Sequence, residues 1–489
     1  MMIRLLIVFL CTSVFTFAKQ NVDKYNSLAK DIDELLITKK LDNTQVGISI
    51  YSIDRNTSVY SLNSQQNFVP ASTVKLLTTS AALSYLGKNF TYNSKLYLDG
   101  NVEENGEFRG NLIIRGFGDP TLSLEFHKTE SLIFDDWVSK LDSLGIKSIK
   151  GNIIGDDNYF DDTYYPSGWA WDDMKYSYSA QVGALNIFNN SITAKITSGD
   201  KRNEITKIKL VPNSDFVRIV NNVKTGSESG VNEVSFERDA VTNFFEFFGS
   251  MPFDPLKKDT ISEEIAIDNP TLYFLSNFSD HLRHFNIRFK GALIDIDDWN
   301  ETPVYFKINQ VFDKQSVTLE EIIEFVNRKS NNLTAEILLK TIGKENGGDG
   351  SFSSGVKFVE KYIKNFYEED DFNLVDGSGL SRLNYLSPNL MTNLLRYIYT
   401  SDYRSSIINS LAQPGKPGTL ERRMKNSIAQ NRVFAKTGSM NGVSNISGYV
   451  VSASGDTFVV NLFFNNFTAP QTEINNLQDL IIMRLASFE

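Results

Sequence analysis

The two ends of this chain share one style and the middle has another, and that contrast constrains the fold more than any single motif. Near the start, Val46 to Ile53 reads as a strand, Asp54-Arg55-Asn56 as a turn and Thr57 to Leu62 as the returning strand. Pro70 then opens a helix that runs to Leu86 and is ended by Gly87. The same style returns near the end. Strands are expected at Val433 to Thr437, Ser447 to Ala453 and Thr457 to Phe464, with a Ser454-Gly455-Asp456 turn and a last helix from about Glu473. From about Thr91 the texture changes to short β segments with polar turns, densest from Ser191 to Glu246. Helices are expected over Asn21 to Leu41, Glu130 to Leu144 and Asn269 to Phe285, and through Ile342 after the capping pair Thr318 and Glu321. Hairpins and helices at both ends imply one α/β domain divided by a large insertion.

Composition narrows the chemistry. The 489 residues are 41% hydrophobic and 22% charged, as in ordinary globular domains, and enough for about three of them. A net charge of −10 with no basic block argues against nucleic acid as a partner. Three histidines (His127, His281, His284) and one cysteine, Cys11, exclude Cys-rich zinc sites and disulfide scaffolds and leave little room for a Ser-His-Asp triad. Arg4, the apolar run Leu5 to Phe17 and the small residues Thr16 and Ala18 read as a signal peptide, residues 1–18, cut after Ala18. The run is too short to span a bilayer, and Leu10 and the short apolar stretch before Cys11 argue against lipidation there. Export would leave a mature chain without cysteine and without a membrane span, suited to an oxidising space.

Three short motifs carry the chemistry. In Ser72-Thr73-Val74-Lys75, just inside the helix opened by Pro70, a spacing of three puts the amine on the face of the hydroxyl. Serine is a weak nucleophile until a base takes its proton, and a buried lysine can do that. The helix N-terminus adds a positive field where an oxyanion would form. Ser27 with Lys30, Ser198 with Lys201 and Ser354 with Lys357 repeat the spacing, but only Ser72 precedes an apolar, small-residue helix. The second motif, Ser330-Asn331-Asn332, lies between helical segments; alone it is as well explained as a helix cap. The third, Lys436-Thr437-Gly438-Ser439, lies on an expected strand, where a lysine and hydroxyls suit a carboxylate and Gly438 permits close backbone approach. Its copy Lys224-Thr225-Gly226-Ser227 is read as a surface loop.

Three motifs in this order are the signature of penicillin-recognising serine enzymes. With Gly118-Asp119-Pro120-Thr121-Leu122, Gly168-Trp169, Asp376-Gly377-Ser378-Gly379-Leu380-Ser381-Arg382 and Gly418-Thr419-Leu420, the chain from about residue 40 resembles the DacB-type D-alanyl-D-alanine carboxypeptidases, low-molecular-mass penicillin-binding proteins. The long gap from Ser72 to Ser330 is also like that family's. The resemblance implies an α/β (α+β) fold. A transpeptidase-type domain of antiparallel sheet and helices would span 19–93 and 310–489. An inserted domain would span 94–190 and 260–309, with a small β domain nested at 191–259. It implies Ser72 as acylated nucleophile, Lys75 as general base, Ser330 as proton relay and Asn332 as holder of the substrate amide. Lys436 and Thr437 would bind the terminal carboxylate, and the N–H groups of Ser72 and Ser439 would form the oxyanion hole. Asn331 stands where relatives usually have Asp.

A side-chain pocket for the donor's diamino acid would, by the same resemblance, involve Asp156, Phe160, Arg382 and Asn441; Asp156 and Asp157 can also be read as turn residues after a strand. His281 and His284 read as surface or cap residues, and Trp169 and Trp171 as packing rather than a glycan groove. The implied enzyme is a periplasmic serine DD-carboxypeptidase acting on peptidoglycan stem peptides and inhibited by β-lactams, without metal or organic cofactor. The alternatives are a β-lactamase-like hydrolase or esterase, and a silent peptidoglycan binder.

Overall fold

The structure, a computed structural model, describes residues 24–38, 41, 43–227 and 230–489. The expected signal peptide and Cys11 lie outside the described residues. Among the described residues no helix is long and apolar enough to cross a membrane. The chain falls into two compact units: one runs through Ser84 and takes in Ile323–Ser330 and Val359–Glu489, the other comprises Tyr85–Ile322 and Asn331–Phe358. The division therefore cuts the second motif between Ser330 and Asn331.

The first unit is built on a five-stranded antiparallel sheet in the order Val433–Met440, Val443–Val451, Thr457–Asn465, Gln45–Ser52 and Thr57–Leu62. The two chain ends meet at its centre, where Gln45 to Ser52 pair with Asn465 to Phe458. Alternation along Gln45–Ser52 explains its two faces. Val46, Ile48 and Ile50 join Leu28 and Ile32 of helix 24–38 and Ile474, Leu477 and Ile481 of helix Gln471–Ala486 in one core. Gly47 and Ser49 face the opposite way. A Cβ at Gly47 would lie 2.4 Å from Phe68 carbons, and Ser49 Oγ lies 2.7 Å from Thr392 Oγ1 on helix Pro388–Thr400.

In the second unit a seven-stranded mixed sheet runs Arg288–Lys290, Ser148–Lys150, Glu107–Gly116, Asn93–Val102, Asn309–Gln315. Ile153–Asp156 pairs beside Glu107–Gly116 and carries Leu293–Asp295 on its other side. Phe134 and Trp137 of helix Ser131–Ser143 and Phe274 and Phe278 of helix Pro270–His284 form the sheet's apolar cover with Leu112 and Ile114. Two three-stranded sheets occupy the segment expected to be densest in strands. One joins Thr260–Ala266, Ser191–Thr197 and Lys207–Val211; the other joins Ser235–Arg238, Phe244–Met251 and Arg218–Thr225. The second corrects one expectation: Lys224 and Thr225 end a strand rather than forming a surface loop. Thr225 and Ser227 are buried, while Lys224 is exposed.

Candidate active site

The nucleophile segment opens with one tight turn, the 3-10 helix Ala71–Val74, which continues into helix Lys75–Leu86. Val69, two residues before the turn, is pinned to the sheet from both sides. Its N–H donates to Asn465 Oδ1 at 2.8 Å, and its carbonyl accepts from Asn445 Nδ2 at 2.9 Å. Ala71 holds a positive φ of 48°, a conformation costly for a residue with a Cβ.

Ser72 is thereby set beside Lys75, whose Nζ lies 2.9 Å from Ser72 Oγ. Lys75 is wholly buried and its Nζ also donates to the Ser378 carbonyl at 2.7 Å. That carbonyl is aimed by a clamp not anticipated from the sequence. Asp376 accepts the N–H groups of Gly379 and Ser381, both at 2.7 Å, and the Asn384 amide at 2.8 Å. Thr78 Oγ1 ties the Gly377 carbonyl to the nucleophile helix at 2.7 Å. Gly379, at φ +80°, lies so close that a Cβ there would sit 2.0 Å from the Ala71 carbonyl oxygen. Gly379→Ala should therefore cost at least about 2 kcal/mol of stability and slow acylation with it, since left-handed strain and a backbone clash add. Thermal unfolding and acylation rates on one preparation check both effects.

Lys436 lies on the sheet's edge strand Val433–Met440 and is also fully buried. Its Nζ donates to Ser330 Oγ at 2.9 Å and to the Thr437 carbonyl at 2.8 Å. Burial first, and then the positive charge of Lys75, push the Lys436 amine well below the ordinary lysine range. Ser330 stands at φ +62° where helix Leu319–Lys329 stops, which turns its hydroxyl out of the helical path. Gly438 admits the strand close to the nucleophile turn: a Cβ there would lie 2.8 Å from the Pro70 carbonyl, 2.9 Å from Ser72 N and 3.0 Å from Thr73 N. Thr437 is half-buried and Ser439 exposed. Ser72, Lys75, Ser330, Lys436, Thr437, Gly438 and Ser439 all belong to the first unit.

The remaining site candidates have other settings. Asn332 is the first residue of helix Asn332–Glu345 in the second unit, and its amide donates to the Tyr178 carbonyl at 2.7 Å. Asn331 caps that helix by accepting the Thr334 N–H at 2.8 Å, a task Asn performs as well as Asp. In the second unit Asp156 ends its strand, buried, with Arg115 Nε 3.3 Å from Oδ2 and the Tyr305 hydroxyl donating to the same oxygen. Asp156→Asn should lower stability by about 2–4 kcal/mol, because the Arg115 guanidinium loses its counter-charge; chemical denaturation measures this. Phe160 is buried with Lys340 Nζ 5.3 Å from its ring centre. In the first unit the Arg382 guanidinium donates to the Asn441 carbonyl, and both residues are exposed. His281 lies 2.9 Å from Asp135 and packs on Phe134; Trp169 is buried against Tyr165, and Trp171 is exposed.

A serine and a buried lysine one helical turn apart, with a second buried lysine on the adjoining edge strand, define the class of penicillin-recognising serine acyl-transfer enzymes. A family model described as the D-Ala-D-Ala carboxypeptidase 3 (S13) family matches residues 28–486, and the chain belongs to this family of serine D-Ala-D-Ala carboxypeptidases. A D-alanyl-D-alanine carboxypeptidase of Actinomadura is 28% identical over 479 residues, 95% of this chain and 85% of the relative. The carboxypeptidase DacB of Haemophilus influenzae is 27% identical, covering 89% of each chain. Among solved structures, penicillin binding protein 4 (dacB) of Haemophilus influenzae superposes with a TM-score of 0.81 at 23% identity, covering 94% of this chain and 99% of that one. That likeness shows the fold: the penicillin-binding-protein type expected from the sequence.

Proposed function

We propose that the enzyme removes the terminal D-alanine from peptidoglycan stem peptides through an acyl-enzyme on Ser72, outside the cytoplasm, and that penicillins acylate the same oxygen. The observation that carries this reading is the 2.9 Å approach of a fully buried Lys75 amine to Ser72 Oγ. In its neutral form that amine accepts the Ser72 proton as Oγ attacks the penultimate carbonyl. The oxyanion takes the N–H groups of Ser72 and Ser439. Ser330, held by Lys436, relays a proton to the leaving D-alanine nitrogen, and Asn332 holds the substrate amide. Water then hydrolyses the ester, with the proton path reversed. Lys436 and Thr437 receive the terminal carboxylate. The same transfer would cut a D-alanyl cross-link, where the leaving group is a side-chain amine.

Release of D-alanine from an N-acylated peptide ending in D-Ala-D-Ala tests the proposal. The wild type should release it and Ser72→Ala should not; equal release by both would overturn the assignment. Rapid turnover of penicillin with no peptide hydrolysis would favour the β-lactamase-like alternative, and neither reaction would favour a silent binder.

A pH dependence follows from Lys436. Its amine binds a carboxylate only when protonated, and its pKa is lowered in the free site. Affinity for carboxylate-ended peptides, read by calorimetry on Ser72→Ala, should therefore fall as pH rises, well before the ordinary lysine range. Binding should also take up protons, because the carboxylate favours the charged form. As for the donor's diamino acid, an ammonium drawn to Asp156 would have to share the carboxylate with Arg115. Asp156→Asn should cut kcat/KM for peptides bearing that amine and leave penicillin acylation nearly unchanged.

A further inference from the structure

Away from the serine and the two lysines, the second unit gathers carboxylates where two parallel strands end. Ile153–Asp156 pairs with Leu293–Asp295, with Asp295 opposite Gly155, so Asp157 and Asp295 leave the sheet at the same edge. Asp297 follows in the 3-10 turn Ile296–Asp298, whose N-cap is Asp295. One oxygen from each of Asp157, Asp295 and Asp297 lies within 4.8 Å of the other two.

The first two are nearly inaccessible: Asp157 is 6% and Asp295 3% exposed, whereas Asp297 faces solvent. Neutral donors satisfy only part of the set. Thr271 Oγ1 donates to Asp157 Oδ2 at 2.6 Å, and Asn269 Nδ2 donates to Asp295 Oδ2 at 2.9 Å. Asp157 Oδ1 is buried and has no hydrogen-bond partner. The neighbouring cations make their ion-pair contacts elsewhere, Arg115 with Asp156 and Lys340 with Asp161 at 2.7 Å, and the Lys340 charge reaches Asp157 only through space. Burial, and then the charge of Asp295, push the Asp157 carboxyl up to about 7. A buried carboxylate oxygen left unpartnered beside like charges is costly unless something positive meets it.

We propose that Asp157, Asp295 and Asp297 bind a hard divalent cation, calcium in preference to magnesium, through Asp157 Oδ1 and one oxygen of each partner. The donor set is all oxygen, which suits calcium or magnesium rather than zinc. Calcium takes oxygen ligands at roughly 2.3–2.6 Å in flexible geometry, so two ligands on opposite sides stand up to about 5 Å apart. Oxygens within 4.8 Å of one another fall inside that span. Calcium tolerates an irregular set of three carboxylates, whereas magnesium demands near-octahedral geometry and usually keeps several waters beside one or two carboxylates. Exposed Asp297 gives the ion a way in, and the two buried members supply the rigid floor. The site lies one residue beyond Asp156, so occupancy would set the electrostatics of that strand end without entering the acyl-transfer chemistry.

The test uses the full chain stripped with a chelator. Calcium should raise the thermal unfolding temperature saturably, bind one equivalent by calorimetry and displace terbium, whose emission should be sensitised through Trp299, two residues from Asp297. Asp297→Asn, an exposed change that should fold normally, should weaken calcium at least tenfold and leave D-alanine release in calcium-free buffer unchanged. Asp157→Asn should abolish the saturable shift. No saturable shift beyond that of an equal ionic strength of sodium chloride would overturn the proposal. Calcium affinity untouched by Asp297→Asn would overturn it as well, and tighter binding of magnesium would overturn the choice of ion. An Asp157→Asn protein that gains stability while wild type ignores calcium would mean that Asp157 holds a proton instead.

Discussion

Lys436→Ala should reduce kcat/KM for carboxylate-ended D-alanyl peptides by about a hundred- to a thousand-fold, roughly 3–4 kcal/mol, the range for truncating a desolvated charge partner. The amine is fully buried, 2.9 Å from Ser330 Oγ, so its loss removes both the carboxylate's counter-charge and the group that orients the relay hydroxyl. The chain contains its own control, since Lys224-Thr225-Gly226-Ser227 repeats the motif. Lys224 is exposed at the end of a strand in the second unit. Lys224→Ala should be near neutral for turnover and for stability, and steady-state kinetics on the two variants side by side would expose a reversed assignment.

Lys75→Met should slow acylation of Ser72 by about 10²–10⁴-fold, the usual contribution of a positioned general base, while the protein stays folded. Methionine nearly matches the length of the lysine side chain and suits a wholly buried position, so the helix Lys75–Leu86 keeps its packing. The lost contacts include those to Ser72 Oγ and to the Ser378 carbonyl. Stopped-flow acylation by a chromogenic β-lactam, beside an unfolding curve, separates a chemical defect from a structural one. A rate within threefold of wild type would remove Lys75 from the proton path.

Much of the fold could be read from local pattern, because the hairpins and helices at the chain ends follow periods of two and 3.6 over enough residues to be unambiguous. The joining of those ends into one sheet at Gln45 and Asn465 is a long-range pairing, anticipated only from their shared style. The nucleophile and its lysine were legible for the same local reason, since a spacing of three on one helix fixes their contact. Ser330 and Lys436 needed the topology, as the helix break and the edge strand are far apart in sequence. The run Asp376 to Arg382 was legible as one of the motifs that carry the resemblance. Its task of aiming the Ser378 carbonyl at Lys75 was not, because a run of Asp, Gly and Ser shows no partner in sequence. The Asn445 and Asn465 latch on Val69 left no distinct signal, since a buried strand asparagine shows its role only once its partner is in place. Asp156 could be read as a pocket acid or a turn residue because Arg115, its register partner on the adjoining strand, could not be assigned to it from sequence. The copy at Lys224 misled in a different way: polar residues on both sides suggested a loop, although its strand is half solvated and needs only every second residue to be apolar.

The most direct measurement is the mass of the protein after incubation with a penicillin, followed by peptide mapping of the adduct. One covalent penicilloyl group per chain should appear, on the peptide that contains Ser72, and Ser72→Ala should remain at its unmodified mass. An adduct that persists in Ser72→Ala, or that maps to Ser27, Ser198 or Ser354, would contradict the assignment of Ser72 as the acylated residue.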